Sequence, residues 1–258
     1  MDYMKLAELL FPHITKTPQD WEEAYPPRNL PEGAMVTRLA PSPTGFIHLG
    51  NLYSAFVNER LAHRSGGTFF LRIEDTDDKR FVEGAVETIV NALDYFKIAF
   101  DEGACAEGEK GAYGPYHQSR RAEIYQTYVK QLVQRGAAYP CFMTEEELAE
   151  IRAKQEAEKK NPGIYGEWAL SRNLTYEEIA AALKAGKPYV VRLKSSGKTD
   201  VPPEEMDTIT VRDAVRGEIT MPANNMDVVI LKATGIPTYH FAHVVDDHLM
   251  RTTHVVRG

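Results

Sequence analysis

The sequence has few cysteines, no long apolar run and no excess of basic charge, and each lack excludes a class of protein. Its 258 residues include two cysteines, Cys105 and Cys141, which rules out a disulfide framework and a four-cysteine metal site. No stretch approaches the ~20 apolar residues that span a bilayer, and the N-terminus has no apolar leader. The net charge of −7 still permits a local basic groove for nucleic acid. We expect a cytoplasmic protein with no membrane partner.

The chain is organised around residues 35–80. Met35–Leu39 predicts a short buried strand, and the two prolines and the glycine that follow it predict a loop. Apolar residues then recur at helical spacing over 49–64. Thr68–Ile73 predicts a second strand, which leads into the acidic residues 74–78. The order of strand, loop, helix and strand predicts a parallel βαβ unit.

The loop and the acidic turn both follow strands, so we expect them on the same rim of the sheet, where ligands bind. A helix that begins near Gly50 would present free amide groups and the positive end of its dipole to an anion. His48 lies beside that helix start and can donate to a phosphate. The pattern predicts a phosphate-handling pocket with a carboxylate on its far wall.

The remaining segments follow local signals. Residues 2–11 predict a short amphipathic helix, and the prolines up to residue 34 predict a semi-extended tether. Two capping boxes, Thr144 with Glu147 and Thr175 with Glu178, predict helix starts. Further helices are predicted near 81–96, 119–136, 144–159 and 175–185, a glycine-rich loop at 101–116, and extended segments at 139–143, 189–193, 208–211, 227–231 and 255–258.

Three motifs in this order resemble those of class I aminoacyl-tRNA synthetases, specifically the glutamyl-tRNA synthetases. The first is RLAPSPTGFIHLGN, in which residues 48–51 are similar to the HIGH-type signature of the class. The second is RIEDTD, beginning at Arg72, and the third is YHFAHVVDDHLMRTTHVVRG, residues 239–258. The resemblance covers residues 35–258 and implies a Rossmann-like parallel nucleotide-binding sheet interrupted by an α+β insertion.

The resemblance also implies roles for individual residues. Glu74 is suited to hold the α-ammonium group of glutamate, and Arg38 to bind a substrate carboxylate through a potentially bidentate pair. Arg257 is expected to read the glutamate side chain. The implied glutamate-binding set is Arg38, Ala40, Ser42, Glu74, Tyr239 and Arg257; the ATP-binding set is Pro43, Thr44, Gly45, His48 and Gly50; and the catalytic set is His48, Gly50 and Asn51. His243 departs from the family, which often has a small or amide residue there, and receives no ligand contact.

Some of these residues also have purely structural interpretations. Arg38 alone is compatible with a strand-end ion pair to Asp75 or Asp77, and Asp77 or Asp78 is expected to cap the next helix. The triplet at 246–248 resembles a set of metal ligands, but we interpret it as a structural turn because Mg²⁺ in such enzymes arrives mainly with ATP phosphates.

A zinc site is not expected in the insertion. Some relatives build one there from a Cys-x-Cys pair and later cysteine or histidine ligands. The matching stretch here is Cys141-Phe142-Met143, and residues 165–168 add no cysteine. A single thiolate cannot complete a tetrahedral site.

The implied organisation has four segments. Residues 1–34 form an N-terminal extension, 35–117 the first half of the catalytic domain, 118–237 an insertion that binds the tRNA acceptor end, and 238–258 the start of the second half. The implied function is ATP-dependent activation of L-glutamate and its transfer to the 3′ end of tRNA(Glu), with Mg²⁺ bound to ATP, by a monomer.

Two other functions fit parts of the pattern. One is a paralogue that transfers activated glutamate to a modified tRNA base, although such chains usually read IED, an apolar residue and Asp-Pro where this one has residues 73–77. The other is a non-catalytic nucleotide- or tRNA-binding module. The second lysine-containing signature of the class is absent, and its nearest match, residues 194–198, is interpreted as a hairpin turn. We therefore expect a truncated catalytic part that folds but does not complete aminoacylation.

Overall fold

The structure is a computed structural model that describes residues 1–76, 82–199 and 201–256. The helices in this part of the chain are α1 (Tyr3–Leu10), α2 (Pro18–Ala24), α3 (Leu49–Arg64), α4 (Ala85–Tyr95), α5 (Ala122–Gln134), α6 (Glu145–Ala157), α7 (Tyr176–Lys184) and α8 (Tyr239–Leu249). The strands are β1 (Val36–Leu39), β2 (Thr68–Leu71), β3 (Glu102–Ala104), β4 (Glu109–Lys110), β5 (Ala138–Cys141), β6 (Val190–Leu193), β7 (Thr208–Asp213), β8 (Gly217–Pro222) and β9 (Val229–Leu231). Four 3₁₀ turns accompany them at Gln118–Arg121, Gly166–Trp168, Leu170–Asn173 and Pro203–Glu205.

The chain divides into two compact units, and the division falls within α5. We call residues 14–128 and 235–258 the parallel-sheet unit, and residues 1–13 and 129–234 the antiparallel unit. The segment expected as one N-terminal extension is thus shared between the two units.

The parallel-sheet unit contains a sheet with the strand order β1-β2-β3-β4. β1 pairs with β2, and β2 with β3, in parallel, whereas β4 is antiparallel to β3. Helix α3 connects β1 to β2, and α4 lies between β2 and β3 in the chain. The predicted βαβ unit and the α/β class are therefore confirmed.

The buried face of α3 is made of small and polar residues. Ala55, Asn58, Glu59 and Ala62 are its buried positions, while Tyr53 is 69% exposed. Helical spacing of apolar residues predicted the helix correctly but not the face that packs. Small side chains let the helix approach the sheet closely, which is why the large ones remain outside.

The antiparallel unit is built from a sheet with the order β5-β6-β9 and a separate two-stranded ladder of β7 and β8. Both predicted capping boxes are present, with Thr144 opening α6 and Thr175 opening α7. The carboxylate of Asp227 is fully buried and ties this unit together. It accepts hydrogen bonds from Tyr139 (2.5 Å), the Ser195 amide (2.8 Å) and Arg172 (2.5 Å from Nε).

Several expectations from the sequence were wrong. The tether contains α2, which a capping box of Thr17 and Asp20 opens with a proline at its first position. The segment predicted to be a glycine-rich loop contains β3 and β4. In β3, Gly103 lies so close to β2 that an added Cβ would be 2.3 Å from the Leu71 carbonyl oxygen. Strand β8 was missed.

Two further expectations concern the hairpin turn predicted at residues 194–198 and the extended segment predicted at residues 255–258. The segment after β6 is not a hairpin turn, because β6 pairs with β5 and β9 rather than with β7. Residues 252–256 form no strand.

Candidate functional site

A cavity of about 380 Å³ opens beside the carboxyl end of β1 in the parallel-sheet unit. Residues from the first and third sequence motifs, about two hundred positions apart, line it together. They are Arg38, Leu39, Ala40, His48, Gly50, Asn51, Ser54, Tyr239, His243 and Val256. The parallel order of β1 and β2 makes this rim the expected place for a ligand.

One wall of the cavity is the N-terminus of α3. His48 is the N-cap residue, and its backbone carbonyl accepts from the amides of Asn51 (2.9 Å) and Leu52 (3.2 Å). Its side chain makes no capping hydrogen bond. The imidazole instead lies over Gly50, where an added Cβ would be 3.1 Å from the ring. The two amides that precede these donors, those of Leu49 and Gly50, therefore remain beside the imidazole for an anion.

The acidic turn and the proline-containing loop meet as predicted. The Glu74 amide donates to the Pro41 carbonyl oxygen at 3.0 Å, which places both segments on one rim. The Glu74 side chain is 6% exposed. Its Oε1 accepts from His243 Nδ1 at 2.9 Å and lies 3.5 Å from Arg72 Nη2. Glu74 thus reaches the cavity through His243, a residue to which the sequence assigned no role.

Arg38 is held by a partner that the sequence did not suggest. Its Nε donates to Asp247 Oδ1 at 3.1 Å, and its Nη2 donates to Oδ2 at 3.0 Å. Nη2 is also in contact with His243 Nε2. The alternative pairing with Asp75 is not formed, since Asp75 accepts from His117 (3.1 Å) and from Ser119. Asp77 and Asp78 lie outside the described residues.

Asp247 holds a second arginine as well. Arg72 is fully buried, and its Nη1 donates to Asp247 Oδ1 at 2.8 Å. Burial alone raises the pKa of Asp247, but the hydrogen bond from Arg38 and the charge of Arg72 outweigh it and lower that pKa below its usual value. Burial likewise opposes the charge of Arg72, yet Asp246, Asp247 and Glu74 together raise the pKa of the guanidinium. Both shifts favour the ionised forms of Asp247 and Arg72 at neutral pH.

The neighbouring Asp246 anchors the core behind the cavity. It accepts from Arg121 Nε at 2.7 Å and from Gln118 and Tyr125 at 2.8 Å each. Burial, and then the charge of Asp246, raise the pKa of the Tyr125 hydroxyl well above its usual value. The interpretation of residues 246–248 as a turn was wrong, because all three lie in α8 and the first two pair with arginines.

The structure gathers part of the predicted set. Of the residues expected to bind glutamate, Arg38, Ala40 and Tyr239 line the cavity, as do all three expected catalytic residues. Ser42, Pro43, Thr44 and Gly45 belong to the loop on the rim but are not among the lining residues. Arg257 lies outside the described residues. The i, i+4 spacing of His243 and Asp247 on a helix is the signal that would have pointed to them.

The described residues contain no group of three or more histidine, cysteine or acidic side chains placed to hold a metal ion. The Cys141 thiol is buried and accepts from the Ser171 hydroxyl at 3.5 Å. Within the same residues, no helix has both the length and the apolar character needed to cross a membrane.

Comparisons with known proteins identify the family of the chain. Residues 34–258 match the family model for tRNA synthetases class I (E and Q), catalytic domain. The glutamate–tRNA ligase of Acetivibrio thermocellus is 64% identical over 259 residues, which cover all of this chain and 46% of that protein. The glutamate–tRNA ligase of Clostridium perfringens strain 13 is 54% identical over the same length, with the same coverage.

Solved structures give the same result. The glutamate–tRNA synthetase of Elizabethkingia anophelis aligns with a TM-score of 0.75 and 39% identity, over 87% of this chain and 44% of its own. A glutamate–tRNA ligase from Elizabethkingia meningosepticum, solved in complex with its amino acid, gives 0.75 and 40% over 87% and 43%. The chain spans about half the length of these relatives. With the family model for the catalytic domain matched over residues 34–258, the chain belongs to the class I tRNA synthetases for glutamate and glutamine.

Proposed function

We propose that this chain carries the amino-acid-activating site of a glutamate–tRNA ligase, which joins L-glutamate to the 3′ end of tRNA(Glu) for protein synthesis. The observation that carries the proposal is that residues of two distant motifs line the same cavity. Arg38 and His48 come from the first motif, and Tyr239 and His243 come from the third. Cationic and amide groups line it, and the Glu74 carboxylate lies behind His243, as a zwitterionic substrate and a phosphate require.

The proposed reaction has two steps. A glutamate α-carboxylate oxygen attacks the α-phosphorus of ATP, and the bond from that phosphorus to the β-phosphate oxygen breaks. The products are glutamyl adenylate and pyrophosphate. A terminal ribose hydroxyl of the tRNA then attacks the glutamyl carbonyl carbon, gives up its proton and releases AMP. The protein contributes positioning and charge stabilisation rather than a covalent intermediate.

Each residue has a role in this proposal. His48 and Gly50 offer the imidazole and a helix amide to the ATP phosphates, and Asn51 offers its side-chain amide. Glu74 and Arg38 bind the charged groups of glutamate. The rest of the proposed set keeps its sequence-based role: Ala40, Ser42, Tyr239 and Arg257 border the amino acid, and Pro43, Thr44 and Gly45 border ATP.

The proposal needs Mg²⁺ only as the counter-ion that accompanies ATP phosphates, and no structural zinc. A monomer in the cytoplasm, where translation runs, remains the expected form. Elemental analysis of chelator-washed protein tests the zinc statement, which stoichiometric zinc would contradict.

The antiparallel unit is the proposed site for the tRNA acceptor end. It contains a cavity of about 660 Å³ whose lining includes Tyr3, Tyr176, Lys5, Arg172 and Lys194. Aromatic rings next to cationic side chains suit single-stranded nucleic acid, since bases stack on rings and phosphates attract cations. Lys194→Ala is expected to weaken binding of an acceptor-stem minihelix, and Lys187→Ala, which changes a lysine outside this lining, serves as its control.

The amino acid proposal is tested by calorimetry with a glutamyl-sulfamoyl adenosine analogue. We expect it to bind at least about tenfold more tightly than the aspartyl analogue, because one methylene typically distinguishes substrates by 10–200-fold. Arg38→Met should abolish most of that binding, whereas Arg60→Met, an exposed arginine on α3, should not. Equal affinity for both analogues would contradict the proposed substrate.

The names of the relatives favour this function over transfer to a modified tRNA base or a non-catalytic module. A charging assay with tRNA(Glu) that locates the attached glutamate separates the three. The ligase places glutamate on the terminal ribose, the paralogue places it on a modified base, and a module gives neither product.

A further inference from the structure

The guanidinium of Arg38 has one nitrogen left for a ligand. Nε and Nη2 both donate to Asp247, and Nη2 also contacts His243. Nη1 makes no hydrogen bond within the described residues, and it is not among the polar atoms sealed from solvent. Arg38 lines the cavity, so Nη1 is the donor that a ligand there can reach.

We propose that Asp247 is a positioning residue that fixes Arg38 so that Nη1 alone faces the substrate. This inference rests on the proposed function. It changes the expected chemistry of Arg38, because the paired edge formed by Nε and Nη2 is already occupied. A substrate carboxylate is then bound through one nitrogen rather than through the two-nitrogen fork that the sequence suggested.

Asp247 also couples the two sides of the amino acid site. One of its oxygens, Oδ1, accepts from both Arg38 Nε (3.1 Å) and Arg72 Nη1 (2.8 Å). Arg72 in turn lies beside Glu74 at 3.5 Å. The group proposed for the substrate carboxylate and the group proposed for its ammonium are therefore oriented by one side chain. Asp247 is 15% exposed and need not touch the substrate itself.

The position of Arg38 is tested without any ligand. In ¹⁵N-labelled protein, the Arg38 Nε–H signal, assigned by its loss in Arg38→Lys, should exchange slowly with water. Asp247→Asn should speed that exchange at least about tenfold. The control is Glu102→Gln, since Glu102 also accepts two bonds from an arginine in the same unit, at 2.7 and 3.0 Å from Nη1 and Nη2 of Arg28. It should leave the Nε–H signal of Arg38 unaltered.

The consequence for the substrate is tested by binding. Asp247→Asn should weaken the glutamyl-sulfamoyl adenosine analogue by about 10–100-fold, the usual effect of a small displacement of a binding group, and leave the affinity for ATP within about twofold. Asp247→Glu should recover part of the loss. In an Arg38→Met background, Asp247→Asn should cause little further loss of affinity for the analogue, because Asp247 affects binding only by positioning Arg38. Glu102→Gln should leave both affinities unchanged.

The possible outcomes test the role of Asp247 and the proposed function separately. If the wild-type chain binds no analogue, the proposed function is contradicted. The exchange rate of the Arg38 Nε–H then still shows whether Asp247 holds the Arg38 side chain. Unchanged exchange in Asp247→Asn overturns the inference. So does an equal loss of ATP and analogue affinity, or a loss that is fully additive with Arg38→Met, because either result assigns Asp247 a general structural role.

Discussion

Gly67 lies against the backbone of Met35, so that a methyl group on its α-carbon would be 1.9 Å from the Met35 carbonyl oxygen. The same carbonyl accepts from the Thr68 amide at 3.1 Å, and the Gly67 amide donates to Ala62 at 2.8 Å. The turn from α3 into β2 thus crosses the start of β1 at a distance that only glycine permits. Register between the two parallel strands depends on this contact.

Gly67→Ala is therefore expected to destabilise the protein by about 3 kcal/mol, because the added methyl forces the strands apart. Chemical denaturation measures the loss. The control is Gly33→Ala, which has open space around it but a φ of +79°, and should cost about 1–2 kcal/mol from backbone strain alone. Equal losses in the two variants would contradict the steric argument.

The capping box of α7 gives a smaller, local prediction. Thr175 Oγ1 accepts from the Glu178 amide at 3.2 Å, and the Glu178 carboxylate accepts from the Thr175 amide at 2.7 Å. Thr175→Ala should destabilise the helix by about 1 kcal/mol, seen as faster amide exchange over Tyr176–Lys184. Glu177→Gln, in the same turn but outside the box, should have less than half that effect, and a larger one would argue that charge rather than capping opens the helix.

Local signals of this kind account for most of what the sequence revealed. Capping boxes, prolines and apolar spacing act over a few residues, so α3, α6, α7 and the βαβ order could be predicted from them. The box of Thr17 and Asp20 obeys the same rule, and α2 was missed because the surrounding prolines were given more weight. At Gly103 the glycine signals close approach of two strands rather than a loop.

The charge network of the site could not be predicted in the same way. Arg38 and Asp247 are 209 positions apart, and their pairing exists only once α8 packs in the parallel-sheet unit. The motif predicted that Arg38 lies at the site, but not which of its nitrogens is available. Arg257, also expected there, lies outside the described residues, and its role stays a prediction.

The pairing of Asp247 predicts a pH dependence of stability. Its folded pKa is lowered from the ordinary value of about 3.9, so its contribution is complete above that value and is lost as pH falls through the lower folded pKa. Asp247→Asn leaves Arg38 and Arg72 without their shared counter-ion and should cost about 3–5 kcal/mol at pH 7. The difference from wild type should shrink as the pH falls below about 4.

Urea denaturation over that pH range, with Asp94→Asn as a control, checks this. Asp94 is an exposed carboxylate of α4, and its variant should follow the wild-type curve throughout. A difference between wild type and Asp247→Asn that persists undiminished at pH 3 would show that the asparagine costs stability by shape rather than by charge.

At the start of α3, Gly50→Ala is expected to weaken ligand binding without lowering the stability of the protein. Alanine there has the better helix propensity, by about 0.5–1 kcal/mol, so Gly50→Ala should leave the free energy of unfolding unchanged or slightly raised. The new Cβ would lie 3.1 Å from Cε1 and Nδ1 of His48, so the ring must shift by a few tenths of an ångström. Binding of ATP to the Gly50→Ala chain, measured by calorimetry, should weaken at least about tenfold, since the displaced ring and the new methyl crowd the proposed phosphate position.

The control is His48→Ala, which keeps the glycine and removes the ring. Combining both changes shows how much of the loss of ATP affinity depends on the imidazole. If Gly50→Ala binds ATP as tightly as wild type, the N-terminus of α3 is not where the phosphates lie, and that part of the proposed site must be abandoned.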